Sequence, residues 1–137
     1  MQPLWTVAEA VAAIGGRPEN LSDGPIHSIS IDSREIEQDA LFVAIKGDKL
    51  DGHDFVSAAL AAGASAAIVS EAWFLAHGGE RLIVVPDPLE ALRTLGRAAR
   101  SRSKALIVAV TGSAGKTTTK EAIRSVLSAA GPTHWSL

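Results

Sequence analysis

The chain has 137 residues, 47% of them hydrophobic, which suits one modest globular domain with a buried core and argues against disorder. Thirteen basic residues against fifteen acidic ones give a net charge of −2, and no basic block occurs. Bulk attraction to nucleic acid or to an anionic membrane is therefore not expected. The lack of cysteine excludes disulfides and thiolate metal sites.

The first residues, Met1-Gln2-Pro3-Leu4-Trp5-Thr6, do not form a basic region followed by an apolar one. No signal peptide is therefore predicted. No uninterrupted apolar stretch of the sequence approaches the roughly twenty residues that a membrane span needs. We expect a soluble, cytoplasmic, monomeric protein that does not bind membranes.

The amino-terminal segment begins with a helix signal. Thr6-Val7-Ala8-Glu9 is a capping box, in which the hydroxyl and the carboxylate satisfy N–H groups at the helix start. A helix to about Ile14 is expected, with Gly15-Gly16 ending it. Residues 17–25 are rich in turn formers, and Ser28-Ile29-Ser30-Ile31 then alternates with the period of a half-buried strand.

A central strand is predicted over residues 40–45, which are all apolar. A polar loop with two glycines follows over residues 46–54. Asp54 can cap a helix that carries apolar residues over 55–62 and ends at Gly63.

Two more short apolar strands are predicted at residues 66–69 and 82–85, with a helical turn at 71–77 between them. Asp87-Pro88-Leu89-Glu90 then combines an N-cap, a first-position proline and a third-position glutamate, which predicts a helix start. Strands alternating with helices indicate an α/β fold with a largely parallel sheet.

A glycine loop follows an apolar run at residues 105–110, which predicts a buried strand, a loop and then a helix over about 117–130. Such a loop turns backbone N–H groups inward, and the helix adds its unpaired N–H groups and dipole. Lys116 would lie on the β/γ-phosphates and Thr117 would reach Mg²⁺. The predicted phosphate-binding residues are Gly112, Ser113, Ala114, Gly115, Lys116, Thr117 and Thr118.

The loop lacks one glycine of the full phosphate-loop pattern, because Val110 stands at that position. The alternative to phosphate binding is an ordinary strand, turn and helix with a surface lysine. A polar seam at residues 101–104 predicts a domain boundary, giving domains over 1–104 and 105–137. One strand, one loop and one helix cannot cover a nucleotide-binding sheet, so we expect 105–137 to be the truncated beginning of a domain.

Three ordered motifs, together with the loop 111–118, resemble the Mur ligases, which build the peptidoglycan precursor peptide. These motifs are Ser30-Ile31-Asp32-Ser33-Arg34, Leu41-Phe42-Val43-Ala44-Ile45-Lys46-Gly47 and Asp51-Gly52-His53-Asp54-Phe55. The resemblance covers nearly the whole chain and about the first third of such an enzyme. It implies a mixed or parallel-sheet uridine-nucleotide domain, followed by the start of a phosphate-loop (P-loop) ATPase domain.

Within the family, the motifs look most like the branch that adds D-alanyl-D-alanine to UDP-N-acetylmuramoyl-tripeptide. The resemblance implies an ADP-forming acid–amino-acid ligase that uses ATP and Mg²⁺ and passes through an acyl phosphate. Lys116 and Thr117 would then be catalytic, with Thr117 on the metal. Because the chain covers only part of such an enzyme, we expect it to be inactive alone.

The resemblance also implies a UDP-sugar site. The residues that it places there are Ile31, Ser33, Arg34, Lys46, Gly47, Asp48, Lys49 and Leu50. Asp32 and Arg34 have an equally good alternative as a local ion pair that fixes a turn. His53 is interpreted as mainly structural.

Other functions are compatible with parts of the pattern. The chain could be a non-catalytic uridine-nucleotide-binding module or another member of the same ligase family. A third possibility, an unrelated phosphate-loop kinase or ATPase, is disfavoured by the Asp32-Ser33-Arg34 and Asp51-Gly52-His53 motifs.

Overall fold

A computed structural model describes residues 2–112 and 114–135. The chain divides into two compact units, one ending at Ser103 and the other beginning at Lys104. No helix in the described ranges is both long enough and apolar enough to cross a membrane.

The first unit is built on a five-stranded sheet. In chain order its strands are β1 (Trp5–Thr6), β2 (Arg17–Glu19), β3 (Pro25–Ile26), β4 (Ser28–Ser30), β5 (Ala40–Val43), β6 (Ala66–Ser70) and β7 (Leu82–Val85). β1 and β3 form a separate antiparallel pair, and the sheet has the order β2-β7-β6-β5-β4. Strands β4 to β7 run parallel, and β2 is antiparallel to β7 at one edge. The predicted α/β class with a mixed, mainly parallel sheet is confirmed.

Helices cover both faces of this sheet. They are α1 (Val7–Ile14), α2 (Val56–Ala61), α3 (Glu71–His77) and α4 (Pro88–Arg102), with a 3-10 helix at Gly52–Phe55 before α2. In β5, Leu41 and Val43 enter a core with residues of α1 and α4, whereas Phe42 enters a second core with residues of α2. A strand buried on both faces needs apolar residues at successive positions, and this explains the continuous apolar run.

The predicted helix caps of α1 and α4 are present. The Thr6 hydroxyl accepts from the Glu9 backbone N–H at 3.1 Å, and the Glu9 carboxylate accepts from the Thr6 N–H at 2.8 Å. Gly15 ends α1 with a positive φ of 64°. The Asp87 carboxylate accepts from the N–H groups of Leu89 and Glu90.

Three local predictions in this unit are wrong. Residues 17–25, expected to be turns, contain β2 and β3, whose short lengths and prolines hide the strand period. Ile31 is not half-buried but 58% exposed, because β4 ends at Ser30. Asp54 does not cap α2; Asp51 caps the preceding 3-10 helix instead, and α2 begins at Val56 without a side-chain cap.

The second unit contains the helix α5 (Lys116–Ala130), close to the predicted range of 117–130, with Gly131 as its C-cap. The buried strand predicted at residues 105–110 is not formed. Leu106 is 81% exposed and Val108 is 48% exposed. A strand needs a neighbour to share its backbone hydrogen bonds, and the described residues of this unit include no other strand.

Candidate functional site

Two polar loops follow neighbouring parallel strands. Residues 31–34 follow the carboxyl end of β4, and residues 46–50 come shortly after the carboxyl end of β5. Because β4 and β5 are parallel and in register, both loops leave the same edge of the sheet. Ligands of open α/β sheets bind outside the carboxyl ends of the strands. All eight residues predicted for the UDP-sugar site lie in these two loops.

The loop after β4 is a turn fixed by side chains. The Ser30 hydroxyl accepts from the Asp32 N–H and donates to the Asp32 carbonyl, both at 3.0 Å. The Arg34 side chain donates hydrogen bonds to the Asp32 carboxylate from Nη2 at 2.6 Å and from Nε at 2.9 Å. The Arg34 backbone N–H donates to the same carboxylate at 2.9 Å. The structure therefore contains the local ion pair.

This pairing sets the charge of the turn. The hydrogen bonds from the side chain and backbone of Arg34 lower the pKa of Asp32 from 3.8 to about 2, so its carboxylate keeps its charge further into acid than an isolated aspartate does. The Arg34 side chain remains 85% exposed, which leaves guanidinium N–H groups open to solvent. Contact of Ser33 and Arg34 with a ligand remains a prediction.

The loop after β5 is a narrow hairpin. The Gly47 N–H donates to the Leu50 carbonyl at 2.8 Å, and the Gly52 N–H donates to the Ile45 carbonyl at the same distance. Lys46 and Asp51 form an antiparallel bridge between these two bonds. Residues 46–50 are all exposed. The hairpin therefore presents its two lysines and its backbone to solvent, at the same edge of the sheet as the turn after β4.

Gly52 allows the hairpin to close. A Cβ at this position would lie 2.7 Å from the Ile45 nitrogen and 2.8 Å from its carbonyl oxygen. These atoms are backbone, so they cannot move aside as a flexible side chain could. The sequence showed a glycine in a polar loop, but it gave no signal that the Ile45 backbone lies against it.

His53 is buried beneath the hairpin, with its ring 7% exposed. Its Nδ1 lies 2.7 Å from the Asp51 carboxylate, and its Nε2 accepts from the Ser70 backbone N–H at 3.0 Å. Burial acts to raise the pKa of Asp51, but the hydrogen bonds from His53 outweigh it and lower that pKa. The ring also stacks on Trp73, with 5.6 Å between centroids. These contacts give His53 a structural role, and sequence reasoning missed Ser70 as its partner.

A cleft of about 580 Å³ lies beside α2 and α3, lined by residues that include His53, Ser57, Trp73, His77 and Arg81. None of the predicted UDP-sugar residues lines it. The residues predicted for the UDP-sugar site thus lie outside this cleft, and those of the hairpin at 46–50 are exposed.

The glycine loop of the second unit leads into the start of α5. Gly112 and Gly115 have φ values of 142° and 75°, a region that favours glycine. Among the described residues, no side chain makes a cap hydrogen bond at Gly115, the N-cap of α5, and the start of a helix attracts an anion. Lys116, Thr117 and Thr118 are exposed there. Ser113 lies outside the described residues.

The residues at this loop fit a phosphate group with its magnesium ion. The described ranges contain no cluster of three or more His, Cys, Asp or Glu residues that could hold a metal. Mg²⁺ keeps several waters and binds through few protein ligands together with phosphate oxygens. The exposed Thr117 hydroxyl at the helix start is suited to be such a ligand.

The first unit is an α/β protein with polar loops at one edge of a mainly parallel sheet, and a glycine loop and helix follow it along the chain. A family model described as "Mur ligase family, catalytic domain" matches residues 25–123. The chain belongs to the Mur ligase family.

Curated relatives include ligases of two specificities. The UDP-N-acetylmuramoyl-tripeptide--D-alanyl-D-alanine ligase of Bacillus subtilis is 36% identical over 121 residues, covering 88% of this chain and 26% of the relative. The UDP-N-acetylmuramoyl-L-alanyl-D-glutamate--2,6-diaminopimelate ligase of Chlorobaculum tepidum is 38% identical over 129 residues, covering 90% and 25%. The chain spans about a quarter of the length of these relatives.

Solved structures of similar fold include proteins named MurF. One from Acinetobacter baumannii has a TM-score of 0.74 at 35% identity, covering 93% of this chain and 28% of that one. Another, from Thermotoga maritima and in complex with ADP, has a TM-score of 0.60 at 34% identity, covering 74% and 23%.

Proposed function

We propose that this chain supplies the UDP-sugar-binding unit and the ATP loop of an ATP-dependent ligase that makes peptidoglycan precursor. The reaction would join D-alanyl-D-alanine to UDP-N-acetylmuramoyl-tripeptide in the cytoplasm, with the chain as a monomer. The observation that carries the proposal is the family match over residues 25–123, a range that includes both sheet-edge loops and the glycine loop.

The glycine loop is assigned to the ATP phosphates. Its backbone N–H groups and the open start of α5 offer hydrogen bonds and a positive dipole end to the anion. Lys116 adds a positive charge, and Thr117 offers its hydroxyl to Mg²⁺. These groups would stabilise negative charge on the phosphoryl group during its transfer to the tripeptide carboxylate.

The sheet-edge loops are assigned to the uridine diphosphate end of the sugar nucleotide. Hairpin amides and carbonyls and the Ser33 hydroxyl suit the amide-like edge of uracil. The exposed Arg34 guanidinium and the lysines at 46 and 49 can meet the diphosphate. The two ligand sites thus lie in two separate units of the chain.

Because the chain spans about a quarter of the length of its relatives, we expect the 137-residue polypeptide to bind its nucleotides without making the amide bond. Mixing it with ATP, Mg²⁺, the UDP-sugar tripeptide and D-alanyl-D-alanine should release no phosphate above background. A turnover that depends on Lys116 would contradict this expectation.

A second candidate reaction would join 2,6-diaminopimelate to UDP-N-acetylmuramoyl-L-alanyl-D-glutamate instead. It is favoured by the diaminopimelate ligase of Chlorobaculum tepidum, whose 38% identity is comparable to that of the D-alanyl-D-alanine ligase. Both candidates share the UDP-sugar and ATP sites, so both make the same binding predictions for this chain.

Titration calorimetry with UDP and, separately, with ATP and Mg²⁺ tests the two-site assignment. The double variant Ser33→Ala/Arg34→Ala should weaken UDP binding by about 30-fold to 1,000-fold, the combined effect of one neutral and one charged hydrogen bond. Lys116→Ala should weaken ATP binding and leave UDP binding unchanged.

Each variant is the matched control for the other, because they lie in different units. Unchanged UDP affinity in the double variant would overturn the UDP-sugar site. UDP binding without any ATP binding would favour the alternative of a non-catalytic uridine-nucleotide module.

A further inference from the structure

Asp51, His53 and Ser70 form a chain of hydrogen bonds that joins the hairpin after β5 to the carboxyl end of β6. Asp51 is the last bridge residue of the hairpin, paired with Lys46. Its carboxylate lies 2.7 Å from His53 Nδ1, and His53 Nε2 accepts from the Ser70 N–H at 3.0 Å. Ser70 is the last residue of β6. We refer to these three groups as the Asp51–His53–Ser70 link.

The direction of these bonds is fixed by their donors. The Ser70 backbone N–H can only donate, so His53 Nε2 must be the acceptor and the ring proton lies on Nδ1. That proton points at the Asp51 carboxylate, which also accepts from the His53 backbone N–H at 3.0 Å. The imidazole is thus used at both nitrogens and has a single orientation.

The link connects an exposed segment to the buried core. Residues 46–50 are exposed and are held by few backbone bonds, whereas β6 is buried through Val69. The hairpin bonds fix the shape of this loop, but they do not tie it to β6. Among the described side chains, His53 supplies this tie through a polar contact at each end.

We propose that His53 is a positioning residue, which holds the 46–50 hairpin in the conformation that receives the uridine diphosphate end of the substrate. This inference rests on the proposed function of that hairpin. A preordered loop binds more tightly than a mobile one, because the ordering entropy is not lost on binding. The ligand-binding effect of His53 is therefore indirect, through Asp51 and the hairpin.

Three substitutions at position 53 separate the two bonds. His53→Asn keeps a donor near the place of Nδ1 and loses the acceptor for Ser70. His53→Gln keeps an acceptor near the place of Nε2 and loses the donor to Asp51. His53→Phe loses both but retains a ring to stack on Trp73. His77→Phe is the matched control, because His77 also stacks on Trp73, at 4.7 Å, and has no part in the link.

The expected result follows from the two bonds acting in series. Breaking either bond releases the hairpin, so all three variants should weaken UDP binding by about tenfold, the effect of one lost hydrogen bond. Stability towards urea should instead fall most for His53→Phe, which leaves both partner groups without their bond. Amide exchange at Gly47 and Gly52 should accelerate in all three variants, while ATP affinity and the His77→Phe control stay unchanged.

Three outcomes would overturn the inference. One is UDP binding of normal strength in either His53→Asn or His53→Gln, and another is affinity that simply follows urea stability across the series. The third is unaltered exchange at Gly47 and Gly52. If His53→Phe does not fold, the Asn and Gln variants still decide the matter. Failure of the unsubstituted chain to bind UDP would instead count against the proposed function itself.

Discussion

Residues 40–45 and 105–110 have nearly the same sequence, but the first segment forms a buried strand and the second forms none. The first reads Ala-Leu-Phe-Val-Ala-Ile and the second Ala-Leu-Ile-Val-Ala-Val. In the first unit, Leu41 is completely buried between the neighbouring strands β4 and β6. In the second unit, the corresponding Leu106 is 81% exposed and no strand forms. An apolar run therefore becomes a strand only when other strands share its hydrogen bonds and helices cover its faces.

Hydrogen exchange should show the largest difference between residues 40–45 and residues 105–110. Amides of β5 should exchange only on global unfolding, whereas those of residues 105–110 and of α5, which has no buried side chain, should exchange at least about a thousandfold faster. Mass spectrometry after deuterium labelling measures both segments in one sample. Equal, strong protection of the two segments from exchange would contradict the predicted difference between them.

Leu41 and Leu106 occupy corresponding positions in the two segments and provide a matched pair of substitutions. Leu41→Ala should cost about 2–5 kcal/mol of unfolding free energy, because it opens a cavity in the core beside Val43 and Ile68. Leu106→Ala removes the same atoms from an exposed position and should change stability by less than about 0.5 kcal/mol. Urea unfolding followed by circular dichroism measures both. A comparable loss in the two variants would mean that Leu106 is buried in solution.

Local signals predicted the elements that local chemistry determines. The capping box at Thr6, the Asp87-Pro88 start of α4 and the buried run of β5 all follow from neighbouring residues, and all are present. The prediction of a strand at 105–110 was wrong because strand formation depends on partner strands. A local sequence pattern does not show whether such partners are present. The strand β2 was not predicted, for the converse reason. Its three residues have no strand period of their own, and they form a strand because they pair with β7.

The candidate site divides in the same way. The turn at Asp32 and Arg34 could be anticipated, because residues two apart in a turn can pair directly. The partner of His53 could not, because Ser70 lies 17 residues further along the chain and contributes only a backbone N–H. Any residue type except proline could have supplied that backbone N–H, so the identity of residue 70 does not reveal the contact.

Gly52 tests whether the sheet-edge hairpin is as tightly defined as β5. Gly52→Ala should cost about 1–3 kcal/mol, because the new Cβ would meet the Ile45 backbone at less than 3 Å. Gly24→Ala is the control, since a Cβ there would meet nothing within 4 Å. Thermal unfolding compares the two variants. A Gly52→Ala protein as stable as the control would show that the hairpin is free to open.

The ion pair of Asp32 and Arg34 should make the smallest contribution, because it lies at the surface and is screened by water, unlike the buried residues of β5. Its effect can nevertheless be isolated by pH. The folded-state pKa of Asp32 is about 2, below its ordinary value of 3.8. A lowered carboxyl pKa adds stability that is fully present above about pH 4 and is lost as the pH falls towards 2.

Carbon-13 NMR of the Asp32 carboxyl should therefore give a midpoint near pH 2. Arg34→Gln should return that midpoint towards 3.8, because the guanidinium hydrogen bonds are the main cause of the shift. The same variant should flatten the acid-side loss of stability between pH 4 and 2 and should lower stability at pH 7 by the same small amount, because the contribution that acid removes is the one present at neutral pH. A midpoint near 3.8 in the unsubstituted chain would mean that Arg34 does not hold Asp32 in solution, and its guanidinium would then be wholly available to a diphosphate.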